Sequence, residues 1–128
     1  VKLLLRLTGF VLAFIFVRRV AGRFFRVEVQ GESMLPALQN GDWLIVDRRA
    51  YRAHPPRRGD IVLARDPRDL DRMLIKRIDR VHADGAITLR GDNSEVSTDS
   101  REFGAVPAYL VEGRVLGRYW PKPSLVRR

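Results

Sequence analysis

Apolar residues are distributed in two different ways along this chain. From Leu3 to Val17 they form one run broken by Arg6 and Thr8; beyond it they come as short runs, Phe25 to Val29, Trp43 to Val46, Ile61 to Ala64, Leu74 to Val81, Ile87 to Arg90 and Val111 to Tyr119. The short runs have strand length, and Pro55-Pro56, Asp66-Pro67, Asp84-Gly85 and Pro107 punctuate them with turn chemistry. One short helical turn is expected from Ser33 to Gln39. The pattern predicts a mainly β fold without internal repeats. Setting aside the N-terminal run, about 100 residues remain, enough for one core and not for two. The organisation read from this is an N-terminal anchor helix with a basic flank over residues 1–24, one domain over 25–121, and a solvated basic tail over 122–128.

The N-terminal run is short for a membrane span. At 1.5 Å per residue, Leu3 to Val17 covers about 22 Å of a hydrocarbon core near ~30 Å. Lys2 and Arg6 at one end and Arg18 and Arg19 at the other can snorkel, and Val20, Ala21, Phe24 and Phe25 extend the apolar contact. A short transmembrane or monotopic anchor is therefore expected. A removable signal sequence fits less well, because Arg18 and Arg19 interrupt the region before the small-residue stretch Val20-Ala21-Gly22. Arg18, Arg19, Arg23 and Arg26 after the run outnumber Lys2 and Arg6 before it, which leans toward a cytoplasmic domain by the positive-inside tendency.

Charge changes the picture less than its size suggests. With 24 lysines and arginines against 15 acidic residues, the formal net charge is +9. Such a balance raises the question of nucleic-acid binding, but the arginines are scattered and no recognition helix or aromatic-and-basic RNA motif accompanies them, so no nucleic-acid partner is expected. Cysteine is absent, which removes disulfides from the account and leaves the redox compartment open. With no cysteine and no histidine pair at ligand spacing, neither a metal nor another cofactor is expected.

Lys76 carries the candidate chemistry. It is one of three lysines, the others, Lys2 and Lys122, lying near the termini. It ends the apolar run Met73-Leu74-Ile75, where an amine loses hydration, and lysine can release its proton there while arginine effectively cannot. A neutral lysine is a general base. Ser33, in Gly31-Glu32-Ser33-Met34-Leu35-Pro36, ends a strand-like run at a turn, and the polar segment Gly91-Asp92-Asn93-Ser94-Glu95-Val96-Ser97-Thr98-Asp99-Ser100-Arg101 is too long for a simple turn. Taken singly, a serine beside glycine is a turn residue and a lysine after apolar residues has its head in solvent. Together the three segments point to a serine/lysine protease. His54, beside Pro55-Pro56, and His82, before a hairpin turn, read as surface residues and lack the context of Lys76.

These segments resemble the boxes of the type I signal peptidase family: Ser-Met-x-Pro-Thr-Leu, then Lys-Arg, then Gly-Asp-Asn-x-x-x-Ser-x-Asp-Ser-Arg, in that order. The resemblance runs from about Val27 to Pro121 and includes Gly41-Asp42-Trp43 and Arg58-Gly59-Asp60. It implies Ser33 as nucleophile, Lys76 as general base, Ser97 as the hydroxyl that orients the lysine, and Asp99 with Arg101 as a supporting ion pair. It further implies a compact, coiled antiparallel sheet, and a shallow apolar pocket from Val29, Met34, Leu38, Leu74 and Ile75 that favours a small residue before the cleaved bond. The interval from Lys76 to Gly91 has no room for the second domain of larger members. Ala37 replaces the usual threonine, and Gly31 stands where many bacterial members carry a serine that helps form the oxyanion hole.

The reaction so implied is acyl transfer. Lys76 takes the Ser33 proton as the hydroxyl attacks, and an acyl-enzyme forms and is hydrolysed. A free lysine near pKa ~10.4 is protonated at neutral pH, so burial by Met73, Leu74 and Ile75 and repulsion from Arg77 are expected to push it down. Precursor polypeptides and a membrane are the expected partners of a monomeric enzyme. Two client ranges stay open: many signal-peptide-bearing precursors, with the domain outside the membrane, or one dedicated precursor, as in the nickel-type superoxide dismutase maturation proteases, with the domain in the cytoplasm.

Overall fold

The computed structural model describes residues 22–128; the expected anchor helix lies outside them. Among the described residues, no helix is long and apolar enough to cross a membrane. The strands are β1 (Phe24–Glu28), β2 (Trp43–Asp47), β3 (Ile61–Asp66), β4 (Asp69–Val81), β5 (Ile87–Arg90), β6 (Val111–Trp120) and β7 (Ser124–Leu125). Two short helices, α1 (Ala50–Ala53) and α2 (Ser100–Phe103), and a 3₁₀ turn at Ala108–Leu110 join them. All pairings are antiparallel, in the order β1-β2-β6-β3-β4-β5 with β7 added to β6. The sheet is open, with β1 and β5 at its ends. Register shifts interrupt the β2–β6, β3–β4, β3–β6 and β4–β5 ladders. Each such irregularity bends and twists a strand locally.

β3 is the spine. Ile61 to Ala64 are buried without alternation, the mark of a strand covered on both faces. Ile61 and Leu63 belong to one core with Val29, Met34, Leu38, Leu44, Val46 and Val115. Val62 and Ala64 point the other way, into a second core with Ile78, Ile87, Leu89, Val106 and Leu110. The turn after β1 covers the first face, and the segment from α2 to the 3₁₀ turn covers the second.

The long hairpin strand decides where a site can form. β4 pairs with β3 from Asp69 to Arg77 but with β5 only from Arg77 onward, so among the described residues its other edge is unpaired from Asp69 to Lys76. Among the described residues the outer edge of β1 is likewise unpaired.

Two regions differ from the sequence reading. β4 begins at Asp69 rather than Leu74, because the polar residues 69–72 form an exposed hairpin arm that hydrophobicity does not mark. The segment expected as a solvated tail packs onto the domain. Ser124 and Leu125 pair with β6, Val126 packs against the first core, and Arg128 Nε donates to the buried Asp60 at 2.7 Å. A buried carboxylate recruits cations from far along the chain, which local composition does not reveal.

Candidate active site

Alternation along β4 places Leu74, Lys76 and Ile78 inward on one face. Lys76 is 4% exposed, and its amine donates to Ser97 Oγ at 3.0 Å. Ser97 Oγ in turn donates to Asp99 Oδ2 at 3.0 Å. A hydroxyl has one proton, and here Asp99 receives it. Ser97 therefore faces Lys76 as an acceptor, and the lone pair of a neutral amine is left to point elsewhere. Among the described residues no carboxylate lies within ion-pair range of Lys76.

Asp99 is fully buried and saturated with donors. Arg101 contacts it through Nε and Nη2, both at 2.9 Å, and the N–H groups of Gly91 and Arg101 donate at 2.9 and 3.1 Å. Burial pushes the carboxyl up, but the Arg101 guanidinium, these N–H groups and the Ser97 hydroxyl outweigh it and hold Asp99 well below the ordinary carboxylate range. Asp99 also caps α2, accepting from the Arg101 N–H.

For Lys76, burial is the largest influence and pushes the amine down. Asp99 opposes it, Arg72 and Arg101 add to it, and Asp66 opposes it, leaving the amine below its ordinary value. Arg77, the neighbour expected to repel the amine, is on the opposite strand face. Its Nε and Nη2 reach Asp92 at 2.8 Å each, and Nη1 donates to the carbonyls of Gly59 and Arg127. The like charges that act on Lys76 are Arg72 and Arg101.

Ser33 starts the turn after β1. The short helix expected from Ser33 to Gln39 does not form: the segment is a turn, closed by Leu38 N–H donating to Met34 O at 2.9 Å, and Met34 and Leu38 anchor it in the first core. Asn93 joins it to the polar loop: its backbone N–H donates to Ser33 O at 2.9 Å and its amide to Glu32 O at 3.2 Å. Gly91 allows this closeness. A Cβ there would lie 2.0 Å from Ser97 Oγ and 2.7 Å from Ser33 O. Gly31 has φ +89, a conformation L side chains rarely adopt, and its N–H is held by Asn40 Oδ1 at 2.9 Å.

The turn, the free edge of β4 and the polar loop enclose a cleft of about 650 Å³ lined by both Ser33 and Lys76. Val29, Met34, Leu74 and Ile75 line it too. Leu38 does not; it faces the core and a second depression under Ser124–Arg128. Arg72, Val96 and Thr98 line the cleft without having been singled out from sequence. The alternation Arg72, Leu74, Lys76 was the available signal for the first. His54 is exposed, and His82 Nε2 pairs with Thr88 Oγ1 at 2.7 Å; neither lines the cleft.

The family model described as "Signal peptidase, peptidase S26" matches residues 1–81. Mitochondrial ATP-independent inner membrane protease subunit 1a of Arabidopsis thaliana is 38% identical over 115 residues, covering 73% of this chain and 68% of the relative. Mitochondrial inner membrane protease subunit 1 of Homo sapiens is 32% identical over 114 residues, covering 74% and 69%. Probable signal peptidase I-1 of Synechocystis is 28% identical over 145 residues, covering 77% and 74%.

Proposed function

This chain belongs to the signal peptidase family, peptidase S26, and on that premise we propose that it is a membrane-associated serine endopeptidase that removes N-terminal signal or leader segments from precursor proteins through a Ser33/Lys76 dyad. The observation that carries this reading is the state of Lys76. It is a buried amine with no carboxylate partner among the described residues, held by a hydroxyl whose proton is committed to Asp99, in the same cleft as Ser33.

Ser33 Oγ attacks the scissile carbonyl carbon while Lys76 takes the hydroxyl proton. The tetrahedral intermediate collapses as Lys76 returns that proton to the leaving amine, which departs as the new N-terminus and leaves an ester on Ser33. Lys76 then takes a proton from water, whose oxygen attacks the ester, and the freed serine oxygen recovers the proton. The Ser33 N–H, for which no acceptor is found among the described residues, is the natural donor to the developing oxyanion. The Gly31 N–H is already engaged with Asn40.

An extended segment of substrate fits between the unpaired edges of β1 and β4, where main-chain hydrogen bonds position the scissile bond and side-chain pockets select. Val29, Met34, Leu74 and Ile75 offer apolar surface suited to a small residue before the cut. Membrane association follows from the expected anchor at Leu3 to Val17 and from relatives named inner membrane proteases. Purified protein in detergent, given a precursor peptide with alanine before the cut, is expected to cleave it, while folded Ser33→Ala and Lys76→Ala do not. Retained cleavage by either variant sinks the dyad. A census of protein N-termini in cells carrying Ser33→Ala then measures whether the clients are many or one.

A further inference from the structure

The hairpin Asp66-Pro67-Arg68-Asp69-Leu70-Asp71-Arg72 delivers a charge to the cleft that the dyad alone does not explain. Asp66 ends β3 and is 1% exposed. Arg68 satisfies it with Nε at 3.0 Å from Oδ1, Nη2 at 2.9 Å from Oδ2, and its own backbone N–H at 2.9 Å. Arg72 Nη1 reaches the same carboxylate only at 4.0 Å. Arg68, which also reaches Glu102 at 3.8 Å, holds Asp66 most closely, and Arg72 is the looser and more exposed partner of that carboxylate. Arg72, Leu74 and Lys76 share one face of β4, and Arg72 and Lys76 line the same cleft.

The surroundings of the amine can be named from each side. The polar loop contributes Asp99, neutralised by Arg101. β3 contributes Asp66, neutralised by Arg68. The strand and turn across the cleft contribute Glu28 and Glu32, both exposed. Arg77 points to the other face and is paired with Asp92. Each carboxylate felt by Lys76 thus has its own arginine, and a further arginine stands on the open side.

We propose that Arg72 is a positioning residue that acts through Lys76, supplying a positive field from the open side of the cleft, so that the amine is kept free of its proton. This rests on the reading of Lys76 as general base. Substrate strengthens the effect: a polypeptide lying over the cleft displaces water, lowers the local dielectric and reduces the screening of Arg72. The base is thereby poised most fully when a precursor is bound.

The test is the pH dependence of kcat/KM for peptide cleavage by the full chain, its Arg72→Gln and Arg72→Lys variants, and Lys76→Ala. Arg72→Gln is expected to move the acid limb to higher pH, to lose roughly threefold to tenfold in rate at neutral pH, and to converge on the native rate in alkali. Arg72→Lys keeps the charge and should retain the native profile. An Arg72→Gln profile that is unchanged, or lowered by the same factor at every pH, overturns the proposal; the second outcome assigns Arg72 to substrate contact. Cleavage by Lys76→Ala would instead defeat the dyad itself.

Discussion

Asp60 and Asp99 are both buried aspartates beside arginine, 2% and 0% exposed, the first just before β3 and the second at the N-cap of α2. Asp60 gathers the Tyr51 hydroxyl at 2.9 Å, the Arg57 N–H at 3.2 Å and Arg128 Nε at 2.7 Å, with Arg114 Nε at 3.5 Å. These partners span most of the domain, so the carboxylate ties distant segments together. Burial, then the hydrogen bond and charge of Asp60, push the Tyr51 phenol far up, and it stays a proton donor. The partners of Asp99 all come from the loop Gly91 to Arg101. That loop is a preassembled unit in which the Ser97 hydroxyl links Asp99 to Lys76. The same pairing serves as a cross-link in one place and as the support of a buried base in the other. What separates them is the unpaired amine beside Asp99.

The largest effect that tests this contrast is at that amine. Lys76→Met keeps the side-chain volume and removes the base, so cleavage is expected to fall by at least about a thousandfold. Stability should be unchanged or raised, because the Ser97 proton stays with Asp99 and a buried polar group is gone. Lys76 is held below its ordinary value when folded, so between its folded value and the unfolded one near ~10.4 the unfolded chain binds more protons. Native stability from this group therefore rises with pH across that window and is lost as pH falls through it. Melting curves should show the advantage of Lys76→Met shrinking toward pH 10, and a gap that is constant with pH would contradict the assignment.

At Asp60 the prediction is inverted. Asp60→Ala removes the shared acceptor of Tyr51 and Arg128 and should lower stability by about 3 kcal/mol in denaturant titration, near the low end for a broken buried pair because the half-exposed Arg128 can turn to water. Below the new melting temperature kcat/KM should remain within twofold, since Asp60 does not line the cleft. A folded Asp60→Ala that no longer cleaves would mean the two clusters are coupled.

The strands of the core were legible because their residues report burial directly. β5 runs from Ile87 to Arg90 as read, and β2 and β6 differ from the reading by single residues. The loop of Ser97, Asp99 and Arg101 was legible as a motif, and the structure joins it to Lys76 through one hydroxyl. What escaped was decided by partners far along the chain. Nothing local marks Arg128 as the ligand of Asp60. Arg77 was chosen over Arg72 by adjacency, although a strand alternates and the residue on the lysine's own face is two or four positions away. Leu38 read as pocket and lies in the core because the turn after Ser33, closed by its N–H on Met34 O, rolls it inward.

Two hydroxyl deletions sharpen the comparison at lower cost to the fold. Ser97→Ala and Tyr51→Phe each remove one donor to a buried aspartate that keeps other donors. Tyr51→Phe should lower stability by about 1 kcal/mol and leave cleavage alone. Ser97→Ala should do comparable damage to stability yet lower kcat by roughly tenfold or more, because the amine loses the group that orients it. Equal effects of the pair on kcat would remove the distinction between the clusters.

The smallest effect sets the baseline. Arg58 and Asp79 also form an aspartate–arginine pair, but at 3.7 Å with side chains 80% and 38% exposed. Water competes for both charges and salt screens them, so little of the Coulomb attraction survives the entropy of holding two long side chains together. Arg58→Gln is expected to change stability by less than about 0.5 kcal/mol and cleavage not at all. Measured beside Asp60→Ala under one set of conditions, it separates the effect of burial from that of pairing. A loss at Arg58 as large as that at Asp60 would show that the surface charge of this arginine-rich domain, rather than buried carboxylates such as Asp60, holds the sheet together.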